Sequence, residues 1–216
     1  MSEVKLYGYW RSSSTWRVRI ALAHKGIAHE TVSVHLVRDG GEQHADWFHE
    51  LNPADQVPLL QFFDGHSTRR IGQSLAILAY LEEAYPTPAF LPGDPYSRAR
   101  ARQLAELVNS GIQPLQNLAV IQKLKAMELD AGAWCRDWID RGLRAYEDLL
   151  GESAGSYSVG DAPSWADALL IPQLYNARRF HLDLEPFPRI RAVEEACLAL
   201  PAFGDTRPEA QPDAEV

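Results

Sequence analysis

Apolar residues recur along this chain in two rhythms, and the rhythm changes once, near residue 90. In the first part, short apolar runs alternate with helical patterns. Residues 4–7 form a compact apolar run that predicts a strand, and the apolar-periodic stretch that follows stops at Gly26, which predicts a helix. β-Branched residues within 27–34 predict a second strand. Residues 58–63 and 67–71 flank Asp64-Gly65, a dipeptide that favours a hairpin turn. Residues 74–83 are strong helix formers ended by Pro86. Residues 86–95 then hold four prolines, a linker by composition.

Everything beyond the linker is helical in pattern. Leu104, Leu107, Val108, Leu115 and Leu118 fall three and four residues apart, with Gly111 and Pro114 predicting a bend partway. Trp138, Ile139, Leu143, Tyr146 and Leu150 draw a second stripe. Ser164 with Asp167 three residues on resembles a capping box that opens a third helix, and a fourth covers residues 190–200. Residues 204–216 have almost no apolar positions and three more acids than bases, the composition of a frayed tail. The expected plan is an α/β domain over 1–85, a linker over 86–96, an all-α domain over 97–203 and a disordered tail over 204–216. Strand, helix, strand, hairpin, helix is the order of a thioredoxin-like domain, in which a right-handed crossover sets the first two strands parallel.

With 216 residues the chain can bury a substantial core. Its net charge of −8 argues against nucleic acid or an anionic membrane as a partner. No apolar run approaches the ~20 residues that span a bilayer, and the first five residues lack a signal-peptide core. The two cysteines, Cys135 and Cys197, lie far apart in helical patterns and imply neither disulfide nor metal site, so a reducing cytoplasm is the expected setting.

Against that acidic background one segment is suited to an anion. Ser12, Ser13, Ser14 and Thr15 sit where the first helix begins, and unpaired N–H groups with the positive end of the helix dipole favour negative charge there. Arg11, Arg17 and Arg19 cluster nearby; for the latter two a solvated helix face competes with a role at the site.

The string Arg11-Ser12-Ser13-Ser14-Thr15-Trp16-Arg17-Val18-Arg19-Ile20-Ala21-Leu22 resembles the glutathione-activating segment of zeta-class glutathione transferases, R-S-S-C-x-W-R-V-R-I-A-L. Ser14 stands where that family usually has cysteine. The resemblance implies a thioredoxin-like domain followed by an all-helical domain, the glutathione transferase fold, and glutathione as cofactor. It also implies a homodimer acting on a small dicarboxylate, as in maleylacetoacetate or maleylpyruvate isomerisation within aromatic amino acid catabolism. Ser12 is then the hydroxyl on the glutathione sulfur, with Ser13, Ser14, Trp16 and Arg17 beside it. A thiol is mostly protonated at neutral pH, with an ordinary pKa near ~8.5, so an enzyme using it must stabilise the anion.

Further segments extend the likeness over nearly the whole chain. Asn52-Pro53-Ala54-Asp55-Gln56-Val57-Pro58 resembles N-P-x-x-x-V-P, in which the Val–Pro bond is cis and the Val57 backbone pairs with the tripeptide. Gln73-Ser74 resembles the pair that holds the γ-glutamyl carboxylate, and Gln43 a glutamine near the glycine end. The run from Gly111 to Val120 resembles G-I-Q-P-L-Q-N-L-S-V, placing Gln113 and Asn117 near glutathione, with Ala119 in place of a serine. Pro172-Gln173-Leu174-Tyr175-Asn176-Ala177-Arg178-Arg179-Phe180 resembles P-Q-x-x-N-A-x-R-F, and Arg179 could hold a substrate carboxylate, lie on the helix surface or pair with Asp167. Two other readings stay open: a transferase or dehalogenase of small α-halo acids, and a non-catalytic binding protein, which Ser14 and Ala119 would favour.

Overall fold

A computed structural model describes residues 4–215. The chain divides into two compact units. One comprises the residues up to Ala89 together with the segment from Pro201 onward; the other runs Phe90–Leu200.

The first unit is built on a four-stranded sheet in the order β2-β1-β3-β4. Strand β1 (Lys5–Gly8) pairs in parallel with β2 (Glu30–Ser33) and antiparallel with β3 (Leu59–Phe63), which pairs antiparallel with β4 (Thr68–Gly72). The pleat sends alternate side chains to opposite faces. Tyr7 and Leu59 face each other in register and join Val34 and Phe48 in one cluster, while Leu6 and Leu60 pair one residue along, also fully buried. A sheet covered on both faces accounts for the near-continuous apolar runs in its central strands.

Helix α1 (Ser13–His24) connects β1 to β2. It ends because Gly26 adopts φ +65°, letting the Ile27 N–H reach the Leu22 carbonyl at 2.9 Å in a Schellman closure. Between β2 and β3 lie two single turns, Arg38–Gly40 and Glu42–His44, and the short helix α2 (Asp46–His49), none of which the hydrophobic pattern announces. Helix α3 (Ser74–Ala84) follows β4 and packs on α1.

In the helical unit, α4 (Pro95–Gly111) starts inside the stretch expected as linker. Asp94 accepts from the Ser97 N–H at 2.9 Å and Pro95 occupies the first helical position, where its missing donor is harmless. The bend expected at Gly111 and Pro114 is a full break: the chain makes one tight turn over Gln113–Gln116 and restarts as α5 (Leu118–Ala126) with Asn117 as its cap. Helix α6 (Ala131–Leu150) follows, and at Gly142 a Cβ would collide with Ile112, so the glycine permits that close crossing. Helix α7 (Trp165–Arg179) is almost wholly buried and opens on the capping box expected at Ser164 and Asp167. Helix α8 (Pro188–Leu198) begins where the Glu147 carboxylate receives the Arg189 and Ile190 N–H groups, both at 2.9 Å.

The segment expected to fray is instead docked on the first unit. Helix α9 (Pro201–Gly204) buries Phe203, and Thr206 ties the segment to α1: it receives the Trp16 indole N–H at 3.0 Å and the Arg19 guanidinium at 3.1 Å. Composition concealed this because few residues do the anchoring, and the root, Thr206, does it through polar atoms of Trp16 and Arg19, both buried on α1.

Candidate active site

The chain leaves β1 through Gly8, where a Cβ would collide with the Thr15 side chain, and turns at Tyr9, whose carbonyl accepts the Ser12 N–H at 3.0 Å. Ser12 itself is extended (φ −70°, ψ 118°) and caps α1: its Oγ accepts the Thr15 N–H at 3.2 Å. A hydroxyl that accepts from the backbone keeps its own hydrogen for another acceptor. Ser13 and Thr15 are buried, Ser12 and Ser14 half-buried, and no acid lies in the first turn to offset the dipole. Arg11 lies with its guanidinium over the Trp10 ring, 5.0 Å from the centroid.

Trp16 and Arg17, expected at the cofactor, are both buried and engaged within the unit. The Trp16 side chain is 3 % exposed and spends its indole N–H on Thr206, so it anchors the closing segment. Arg17 is 1 % exposed and reaches inward to donate to Ser74 Oγ at 3.2 Å. Arg19 is likewise buried, donating to the Trp10 carbonyl at 2.9 Å, and burial pushes its guanidinium down to about 10. Neither arginine belongs to a solvated face, because each satisfies buried oxygens that the fold would otherwise strand.

Arg17 therefore links the start of α1 to the start of α3. There Gln73 takes a left-handed conformation (φ 67°), Ser74 is 5 % exposed, and again no acid occupies the first helical turn. The Gln73 amide donates to Gln56 Oε1 at 3.0 Å, fastening α3 to the segment that Asn52 braces by donating to the Gln56 carbonyl at 2.7 Å. Next along the chain the Val57–Pro58 peptide bond is cis; Pro58 is buried and Val57 half-buried. Among the described residues the Val57 N–H and C=O take no backbone partner. Gln43 is buried in the turn Glu42–His44, and its Oε1 atom has no hydrogen-bond partner among the described residues. Ser12, Arg17, Ser74, Gln73, Gln56 and Val57 thus belong to one connected framework of the first unit.

In the helical unit Gln113 opens the turn after α4, and Asn117 uses its Oδ1 to accept the Ala119 N–H at 2.8 Å. Arg179 ends α7, donating to Asn176 Oδ1 at 3.3 Å. The alternative pairing of Arg179 with Asp167 does not occur. Asp167 is fully buried at the opposite end of α7, where its carboxylate receives the N–H groups of Ser158 and Ser164 at 2.8 and 2.7 Å. Burial raises the Asp167 pKa against the pull of those donors. His35, which no motif singles out, stands with its ring edge-on to Tyr9 at 4.9 Å. No spacing marks that contact, since it joins the ends of two strands separated by a whole helix.

Family models match both parts of the chain: the glutathione S-transferase N-terminal domain over residues 11–84 and the C-terminal domain over 124–196. Maleylacetoacetate isomerase of Rattus norvegicus is 50% identical over 208 residues, 96% of this chain and 94% of that protein. Maleylpyruvate isomerase of a Ralstonia species is 45% identical over 218 residues, 98% of this chain and all of that one. Among solved structures, maleylacetoacetate isomerase from Anaeromyxobacter dehalogenans with bound glutathione superposes with a TM-score of 0.92 at 49% identity, covering 99% of each chain. The holo structure of a bacterial zeta-class maleylpyruvate isomerase gives 0.90 at 45% identity, covering 98% of this chain and 100% of that one.

Proposed function

The chain belongs to the glutathione S-transferase family, in its zeta class, and from that premise we propose that it isomerises maleylacetoacetate to fumarylacetoacetate, or the analogous maleylpyruvate, with glutathione as cofactor. The observation that carries the reading is Ser12: an N-cap whose hydroxyl accepts from Thr15 and so retains a hydrogen for a sulfur anion.

The residues present suit glutathione. Two helix starts free of acids, α1 and α3, suit its anionic groups; the open Val57 N–H and C=O suit a peptide laid alongside as an added strand; the orphaned Gln43 Oε1 awaits a donor. Bound glutathione supplies a thiolate that adds reversibly to the conjugated double bond and so opens it to rotation. The chain's residues do the rest. Ser12 donates to the sulfur and, with the α1 dipole, keeps it ionised at neutral pH. Ser74 and the first N–H groups of α3 hold the γ-glutamyl carboxylate, with Gln73 fixed by Gln56 and Arg17 acting through Ser74. Ser13 and Ser14 complete the polar wall beside the sulfur. Arg11 holds a substrate carboxylate, and its charge favours the negative charge that grows on the substrate's carbonyl oxygen; Arg179 is assigned to a substrate carboxylate by family motif alone. Gln113 and Asn117 contribute to glutathione by family motif.

The protein works in this reading as a homodimer in the cytoplasm, within tyrosine and phenylalanine breakdown. Among the described residues no helix is long and apolar enough to cross a membrane, and both cysteines are free thiols in the interior. Incubation with maleylacetoacetate, with and without glutathione, tests the proposal: fumarylacetoacetate forms only when glutathione is present, and the glutathione is recovered unchanged. Turnover of 2-halo acids in place of maleylacetoacetate would replace it by a halide-displacing transferase.

A further inference from the structure

The closing segment is rooted firmly and tipped loosely. Its root is Thr206, gripped by the buried Trp16 and Arg19. Past the turn Pro208–Ala210, Asp213 accepts from Ser33 Oγ on the edge strand β2 at 2.8 Å. At the tip, Glu215 Oε1 meets the Arg38 guanidinium at 2.6 Å, and Glu215 Oε2 lies 3.4 Å from His35 Nε2.

The His35 ring is set to hold an anion. Its Nδ1 accepts the N–H groups of Val37 and Arg38 at 3.2 and 2.8 Å, which places the ring's proton on Nε2, pointing at Glu215. The His35 backbone is held by Glu42 at 2.7 Å, one residue before Gln43. Its edge-on neighbour Tyr9 carries the carbonyl that fixes Ser12. His35 thus touches the serine turn through Tyr9 and the Gln43 turn through Glu42, with Arg38 three residues on.

We propose that His35 and Arg38 form a carboxylate-binding site and that Glu215 is its internal occupant, so that the closing segment competes with the glycyl carboxylate of glutathione for that place. The proposal rests on the glutathione-dependent reading above. Both latch charges are more than half exposed, Arg38 at 57% and Glu215 at 56%, so the tip is a weak, releasable ion pair while the root stays closed.

Glu215→Gln removes the competitor and leaves the cation pair intact. Calorimetry on the full chain then reads a two- to fivefold tighter Kd for glutathione, the range an exposed ion pair supports, with kcat unchanged. Glutathione glycyl monoethyl ester, which lacks that carboxylate, binds wild type and variant alike. Hydrogen exchange gives a second readout: saturating glutathione, or acetate alone as a bare carboxylate, speeds exchange across 211–215 and leaves Thr206 protected. Equal glutathione affinity in wild type and variant, or an equal gain for the ester, overturns the proposal even where isomerase activity stands. Exchange that acetate does not alter also overturns it, whether or not the protein uses glutathione.

Discussion

Replacing Ser12 by alanine removes the hydroxyl that we propose donates to the bound thiolate. A hydrogen bond to a charged group contributes about 1.5–3 kcal/mol, and one pKa unit corresponds to about 1.4 kcal/mol, so the glutathione thiol in the complex rises by about 1–2 units. The sign follows from which form is stabilised: the lost donor had favoured the anion, so less thiolate is present at neutral pH and more returns as pH is raised. The pH profile of kcat/KM therefore moves to the alkaline side by the same amount, with a neutral-pH loss of up to about 10- to 100-fold.

The same oxygen caps α1 through the Thr15 N–H at 3.2 Å, so Ser12→Ala also lowers stability by about 0.5–2 kcal/mol. Ser12→Gly separates the two effects, because glycine caps nearly as well but carries no hydroxyl. Ultraviolet titration of the bound thiol shows the shift in both variants, whereas Ser13→Ala, altering a buried neighbour on the first turn, leaves it in place. A bound thiol that ionises at the same pH in Ser12→Gly as in the wild type refutes the assignment, as does an equal shift in Ser13→Ala.

Lys25→Met leaves the buried Glu82 carboxylate without the ammonium 2.8 Å away and frees the carbonyls of Tyr85 and Pro88; urea unfolding registers a loss of about 3–5 kcal/mol, much of it recovered by adding Glu82→Leu. Asp167→Ala strands the donors of Ser158 and Ser164, and the helical unit loses about 3 kcal/mol or more in the same assay. Asp64, held at about 2 by Arg69 and by the Ser67 and His66 N–H groups, contributes stability that is complete above its ordinary 3.8 and disappears as pH falls to about 2. Asp64→Asn flattens that acid limb of the stability curve, and an unchanged limb places the acid sensitivity elsewhere.

What the sequence disclosed and what it withheld divide along a physical line. Periodicity and turn chemistry give away every strand and every long helix, since each must bury one face and stop at a definite residue, as α1 does at Gly26. The capping box at Ser164 is equally local and equally legible. The inward turn of Arg17 and Arg19 was not, because an arginine on a helix reads as exposed until its distant acceptors, Ser74 and Thr206, are known. The closing segment hid for the same reason: its attachment lies in partners nearly two hundred residues away, and composition counts only what a segment contains.

The departure at Ser14 bears on where the nucleophile comes from. In α1 the capping duty falls to Ser12, whose Oγ engages Thr15, so a hydroxyl in place of a thiol at position 14 leaves that contact untouched. The chain's own thiols are poor candidates. Cys135 and Cys197 are both buried, and burial pushes both up, so the population of thiolate at either is small at neutral pH. The half-buried end of α1, by contrast, offers a hydroxyl hydrogen, a helix dipole and no competing acid. Under the proposed reading α1 stabilises a sulfur anion, and since both of the chain's own thiols are buried, that anion belongs to a thiol that arrives with a ligand. Loss of all isomerase activity on omitting glutathione is the outcome this requires, and residual turnover that a thiol-alkylating reagent abolishes would return the role to Cys135 or Cys197.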